Sequence, residues 1–256
     1  MTIIRNVHLR QFLALSRVKV LWYAFSDSHQ ENLSALPRFD ILLAFIVACT
    51  PLIGVVMQSN GVHFDAPIVF SGLALVSALL LRNKNGVRYT PVSSWKDSFS
   101  KTHTAFGLSC IPLALILVFY RDAFYSIELG IEPNTGANHA PASFHRLATF
   151  ILFTSLWAGL SEEIIYRGLL LSFLRRAPIP YPQQTKDYLA ILISALLFAA
   201  NHYVAWGMWL CVAVFCLGLG FGIAYVSIRE RLLPVILYHA AFDVLSLSVA
   251  FLTFRL

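Results

Sequence analysis

A chain of 256 residues with 58% hydrophobic and only 12% charged side chains lacks the polar surface of a soluble domain, in which about a quarter of residues are charged. Its mean hydropathy of +0.70 agrees, so the length is better counted in membrane spans than in soluble domains. The net charge of +6 is distributed between apolar runs, where topology signals belong, which argues against a nucleic-acid partner.

The stretch from His8 to Phe25 is interrupted by Arg10, Arg17 and Lys19, and no cleavable signal peptide is expected there. Val18, Leu21, Trp22 and Phe25 recur at helical spacing, which suits either a helix lying on the membrane surface or an ordinary N-terminal arm. Seven segments then approach the roughly 20 apolar residues that a crossing needs: 40–57, 66–81, 104–120, 145–174, 188–206, 208–228 and 234–254. The expected fold is all-α, a polytopic transmembrane helix bundle of these seven spans with a candidate N-terminal interfacial helix. The fourth segment exceeds one crossing and should tilt or project.

The loops alternate in charge. Arg5, Arg10, Arg17, Lys19 and Arg38 precede the first span, and Arg82, Lys84, Arg88, Lys96 and Lys101 follow the second. Arg175, Arg176 and Lys186 follow the fourth, and Arg229 and Arg231 the sixth. The loop 58–65 has no Lys or Arg, and 121–145 sets Arg121 against Asp122, Glu128 and Glu132. The positive-inside rule therefore predicts a cytoplasmic N-terminus and an outer C-terminus. Cys49, Cys110, Cys211 and Cys216 all fall in apolar segments and read as small core residues, not a disulfide framework. Gly218-x-x-x-Gly222 reads as a small-residue face for close helix packing.

Ionisable side chains are costly in hydrocarbon and face a bundle interior or a watery cavity. Between span ends they gather in three segments: Glu162, Glu163 and Arg167 in the fourth, His202 beside Asn201 in the fifth, and His239 and Asp243 in the seventh. Glu163 and Arg167 are four apart and can pair on one face. Glu162 lies about 100° round the helix and points elsewhere, free for acid–base chemistry. Phe198 and His202 share a face, as do His239 and Asp243. Measured from the cytoplasmic span ends, the depths are about 18 Å for Glu162, 21 Å for His202, 14 Å for Asp243 and 8 Å for His239. All four could meet in the middle and cytoplasmic half of the bundle.

These residues, in this order, closely resemble the CPBP (Abi, CAAX protease and bacteriocin-processing) family of intramembrane glutamic proteases. Its Glu-Glu-x-x-x-Arg motif is matched by Glu162, Glu163 and Arg167, its Phe-x-x-x-His motif by Phe198 and His202, and its His-x-x-x-Asn/Asp motif by His239 and Asp243. The resemblance covers roughly 145–250 and divides a single membrane domain, 1–256, into an N-terminal arm with scaffold spans (1–144) and a protease-like core (145–256). It implies peptide-bond hydrolysis with no metal or other cofactor. Glu162 and His202 would bind and deprotonate the attacking water, and His239 with Asp243 would stabilise the oxyanion. Glu163, Arg167 and Phe198 would support them. An ionised Asp243 cannot donate to an oxyanion, so either it is protonated or it orients a cationic His239, the route favoured here. The implied partners are the lipid bilayer and a membrane-associated protein or peptide substrate, without nucleic acid. Within the family that substrate is a prenylated C-terminal peptide, a bacteriocin-like precursor or a sorting-tag protein. Short loops and no appended domain resemble a prokaryotic member of an inner or plasma membrane, for which a prenylated substrate is less expected.

Three other readings compete. Glu162, His202, His239 and Asp243 could ligate zinc, although no His-Glu-x-x-His occurs. A serine protease would need more than Ser161, which lacks a Gly-x-Ser-x-Gly setting. Intramembrane Glu, His and Arg also mark proton-coupled transporters, and a catalytically silent relative could serve as an immunity or scaffold protein.

Overall fold

The computed structural model describes residues 35–59, 66–85, 94–119 and 144–255; the expected helix within 8–25 lies outside them. The described residues form helices joined by turns: α1 Arg38–Ser59, α2 Ala66–Lys84, α3 Trp95–Phe119, α4 Phe144–Glu162, a π-helical segment Glu163–Leu171, α5 Ser172–Arg175, α6 Gln183–Ser227 and α7 Leu232–Arg255. α1 packs along α2, α3 along α6, and α4 along α7.

The fourth expected span is one helical rod from Phe144 to Arg175 that widens immediately after Glu162. Such widening is rare, and π turns within α-helices are frequent at functional sites. The Ser172 N–H returns five residues to the Arg167 carbonyl. Side chains share the rest of the load: Ser172 Oγ donates to the same carbonyl at 3.3 Å and Ser194 Oγ to that of Tyr166 at 2.9 Å. All nine π-helical residues are buried, and the segment touches α1, α2, α4, α6 and α7. It is the axle of the bundle.

α6 is helical throughout its 45 residues, yet it cannot be straight. In a straight helix residues 191 and 222 would stand about 46 Å apart. A Cβ on Gly222 would instead lie 3.0 Å from Ile191 Cγ2, and one on Gly218 3.1 Å from Ala195 Cα. Cys211 Sγ meets the Ala199 carbonyl at 3.3 Å. The two halves therefore run antiparallel, reversing between 199 and 211. The expected spans 188–206 and 208–228 are the arms of this hairpin, and the glycine face predicted from Gly218 and Gly222 is where they touch.

The polarity of the bundle is inverted relative to a water-soluble protein. Large apolar side chains are exposed along the long helices, among them Leu42 and Ile46 on α1, Val76 and Leu80 on α2, Ile111 on α3, Phe153 on α4, Leu196 on α6 and Leu245 on α7. Glu163, Arg167, Arg175 and Asp187 are wholly buried. By length and composition one described stretch, Arg38–Met57, is sufficient alone to cross a membrane; Cys211–Ser227 and Leu232–Ser248 are apolar but shorter.

Arg175 and Arg176 depart from expectation. The sequence reading treats them as loop charges, whereas Arg175 is 0% exposed. Its Nε and Nη2 grip Asp187 at 2.8 and 3.1 Å, and its Nη1 reaches Glu230 at 2.8 Å. Arg176 donates twice to Glu230, at 2.9 and 2.8 Å. Full pairing is what lets these charges leave water. The turn they hold is strained, since Arg229 and Glu230 take left-handed φ values of 56° and 58° without being glycine. Burial pushes the Glu230 carboxyl up, but the Arg176 hydrogen bond and the charges of Arg176, Arg175 and Arg82 outweigh it and hold it below its ordinary value.

Candidate active site

Three elements converge beside the start of the π-helical segment: the end of α4, the first arm of α6, and α7. The helix widens where two adjacent carboxylates must part company. Glu163 is wholly buried, while the Glu162 side chain keeps 20% of its surface. Arg167 Nη1 donates to Glu163 Oε1 at 2.9 Å, the pairing expected from a spacing of four. Nη2 of Arg167 donates to the Gly218 carbonyl at 3.2 Å. The guanidinium also lies over Phe198, 4.5 Å from its centroid, and over Phe221 at 5.3 Å. Arg167 thus joins the π-helical segment to both arms of α6, and Phe198 has a definite task as one face of its cation–π contact.

Glu162 faces two imidazoles. Its Oε1 lies 3.8 Å from His202 Nε2 and its Oε2 lies 3.6 Å from His239 Nε2. His202 Nδ1 is 2.8 Å from the Phe198 carbonyl. A carbonyl only accepts, so Nδ1 carries the proton, and in the neutral ring Nε2 is left as an acceptor facing Glu162. His239 Nδ1 is 2.7 Å from Glu163 Oε1. Glu163 accordingly serves Arg167 and His239 together, a contact across 76 residues that no helical spacing reveals. Asp243 Oδ2 stands 3.5 Å from His239 Nε2, with 23% of its side chain exposed.

All seven expected residues are thus brought into one cluster. The tight contacts, at 2.7–2.9 Å, belong to buried Glu163, Arg167 and the two Nδ1 atoms. The long ones, at 3.5–3.8 Å, surround Glu162 and the two Nε2 atoms. Separations of that size exceed hydrogen-bond length, so these three contacts are electrostatic and not direct hydrogen bonds. Among the described residues no group of three or more His, Cys, Asp or Glu side chains is arranged as metal ligands.

Close backbone approach sets the register of α4 on α7. A Cβ on Gly159 would sit 2.9 Å from the Ala240 nitrogen and 3.1 Å from the Ile236 carbonyl oxygen. Gly159 is one turn before Glu162, and Ala240 adjoins His239, so this contact brings Glu162 to the imidazole. The sequence reading passed over Gly159, as it did Phe221, whose ring stacks on His239 with centroids 5.0 Å apart. A glycine within an otherwise apolar span is the signal that could have found the first; nothing in the sequence distinguishes Phe221.

Residues 144–245 match a family model described as type II CAAX prenyl endopeptidase Rce1-like. No curated protein and no solved structure matches the chain. The matched segment contains every residue of the three motifs, the π-helical segment and both arms of α6. Over residues 144–245, therefore, the chain is similar to the Rce1-like type II CAAX prenyl endopeptidases, in agreement with the CPBP resemblance of its motifs.

Proposed function

We propose that this protein is an intramembrane glutamic endopeptidase in which Glu162 and His202 activate water and His239, oriented by Asp243, stabilises the oxyanion. One observation carries this reading. A partly exposed carboxylate stands between imidazoles from two other helices, while its neighbour Glu163 is buried and engaged with Arg167. With the neutral His202 Nε2 acting as acceptor, a water between it and Glu162 gives one hydrogen to each. Glu162 then takes the proton as the oxygen attacks the scissile carbonyl, and later returns it to the leaving amine.

Negative charge develops on the carbonyl oxygen during this attack. His239 meets it with Nε2–H, the ring being doubly protonated. Its Nδ1–H is already committed to Glu163, and Asp243 supplies countercharge beside Nε2. Asp243 therefore orients the donor and is not itself the donor. The zinc reading would use the same four side chains, and cleavage lost to a strong chelator and restored by zinc would favour it.

The proposed setting is a membrane, with the seven segments as spans, the N-terminus cytoplasmic and the C-terminus outside. The exposed apolar helix faces and buried charges support it. So does the gathering of basic residues at one end of the bundle, where Lys84 pairs with Asp40, Leu36 N–H bonds the Arg176 carbonyl and Arg231 reaches Ser98. The substrate is a membrane-associated peptide or protein; the family description points to prenylated C-terminal peptides, and bacteriocin-like precursors are the second class to screen. The test compares cleavage of such peptides by membranes carrying the parent chain and Glu162→Ala, His202→Ala and His239→Ala, with protein levels matched. Each variant should lose cleavage. Cleavage that survives all three changes ends the proposal, and substrate uptake abolished by Glu162→Gln would favour a transporter.

A further inference from the structure

α3 lies outside the matched segment and carries none of the motif residues, yet it reaches the site. Phe221 stacks on the His239 imidazole with 19° between the planes. Phe106 of α3 packs against Phe221 as well, with centroids 5.4 Å apart and 32° between the planes. The Phe106 ring also meets Tyr238 at 5.7 Å and Phe242 at 5.1 Å. Those two residues are four apart on α7 and bracket His239 in sequence. Nearly one turn before Phe106, His103 Nδ1 hydrogen-bonds the Tyr238 hydroxyl at 2.5 Å.

We propose that Phe106 is a positioning residue for His239, a role that rests on the reading of His239 as the oxyanion donor. The hydrogen bond to Glu163 fixes one ring nitrogen but still leaves the imidazole free to swing about that contact. Stacking on Phe221 sets the plane of the ring, and Phe221 is held in turn by the Arg167 guanidinium and by Phe106. Phe106 does so while wedging against the Tyr238–Phe242 face, which also sets the rotation of α7. The His103–Tyr238 bond pins the same face from the exposed side. Tight packing transmits a change at Phe106 to His239 because the interior has little spare volume to absorb it.

The test uses the full-length protein in detergent with 15N-labelled histidine, the His239 Nδ1–H resonance being assigned by its loss in His239→Asn. Phe106→Ala should move or broaden that resonance and lower kcat about tenfold to a hundredfold with KM little changed. Phe106→Leu, which keeps most of the volume, should restore both. Should Phe106→Ala not fold, Tyr238→Phe removes one hydroxyl only and should move the resonance with a smaller loss of kcat. An unmoved resonance in the folded variant overturns the inference whether or not cleavage is observed. A moved resonance in a protein that cleaves no peptide supports the positioning role while counting against the protease reading.

Discussion

Two clusters of buried or half-buried charge among the described residues are built differently. At the basic end, Arg175, Arg176, Asp187 and Glu230 are joined by contacts of 2.8–3.1 Å. Gln183 adds a bond to Asp187 at 2.7 Å. At the centre, Arg167 Nη1 meets Glu163 at 2.9 Å, but Glu162 stays 3.8 and 3.6 Å from the Nε2 atoms of His202 and His239, and Asp243 3.5 Å from that of His239. The first cluster is saturated and locks a strained turn. The second combines short contacts around Glu163 and Arg167 with longer ones around Glu162, and it leaves Glu163 Oε2 and Arg167 Nε buried without a hydrogen-bond partner. Buried charge alone therefore does not distinguish a structural cluster from a candidate site.

Substitution should separate the two clusters. The largest effect is expected from Glu162→Ala, which should lower cleavage by about a hundredfold to ten-thousandfold. Its unfolding midpoint in detergent should be unchanged or higher, because a strained functional group is being removed. A clear fall in that midpoint would mean that Glu162 is structural. Arg175→Met should do the reverse, leaving Asp187 and Glu230 without their buried cation and costing about 3–5 kcal/mol. Chemical unfolding measures this, and a loss near zero would show that the end cluster is solvated.

Gly159→Val tests the link between helices. Overpacking against the Ala240 backbone should cost about 1–3 kcal/mol, and the displaced Glu162 should lower kcat more than the stability change alone explains. Normal turnover in this variant would break the argument that Gly159 sets the register. The smallest effect concerns pH. The Glu230 carboxyl lies below its ordinary value in the folded chain, so its contribution is fully present above that ordinary value and is lost as pH falls through the folded one. Glu230→Gln should flatten the acid limb of a stability–pH curve, and an unchanged limb would assign acid sensitivity to other carboxylates.

Much of the centre was legible in the sequence because its pairs are local. Glu163 with Arg167, Phe198 with His202 and His239 with Asp243 are each four residues apart, and helical geometry brings such side chains together whatever surrounds them. Depth along separate helices was a poorer guide. It put His239 about 10 Å shallower than Glu162, whereas Oε2 and Nε2 are 3.6 Å apart. The close approach at Gly159 brings the two together, and it is not encoded by position along one helix. The buried network at the basic end was not legible, because Arg175, Asp187 and Glu230 lie on three different elements.

Composition and spacing by themselves determined that this chain is helical, that it hides charge within apolar segments, and that Glu162 and Glu163 diverge. Only the tertiary structure decided that Glu163 also holds His239, that α6 folds back on itself, and that α3 backs the site through Phe106. The physical reason is range. A side chain's neighbours along its own helix follow from 3.6 residues per turn, while its neighbours on other helices follow from how closely backbones approach, and that is settled by packing the whole bundle at once.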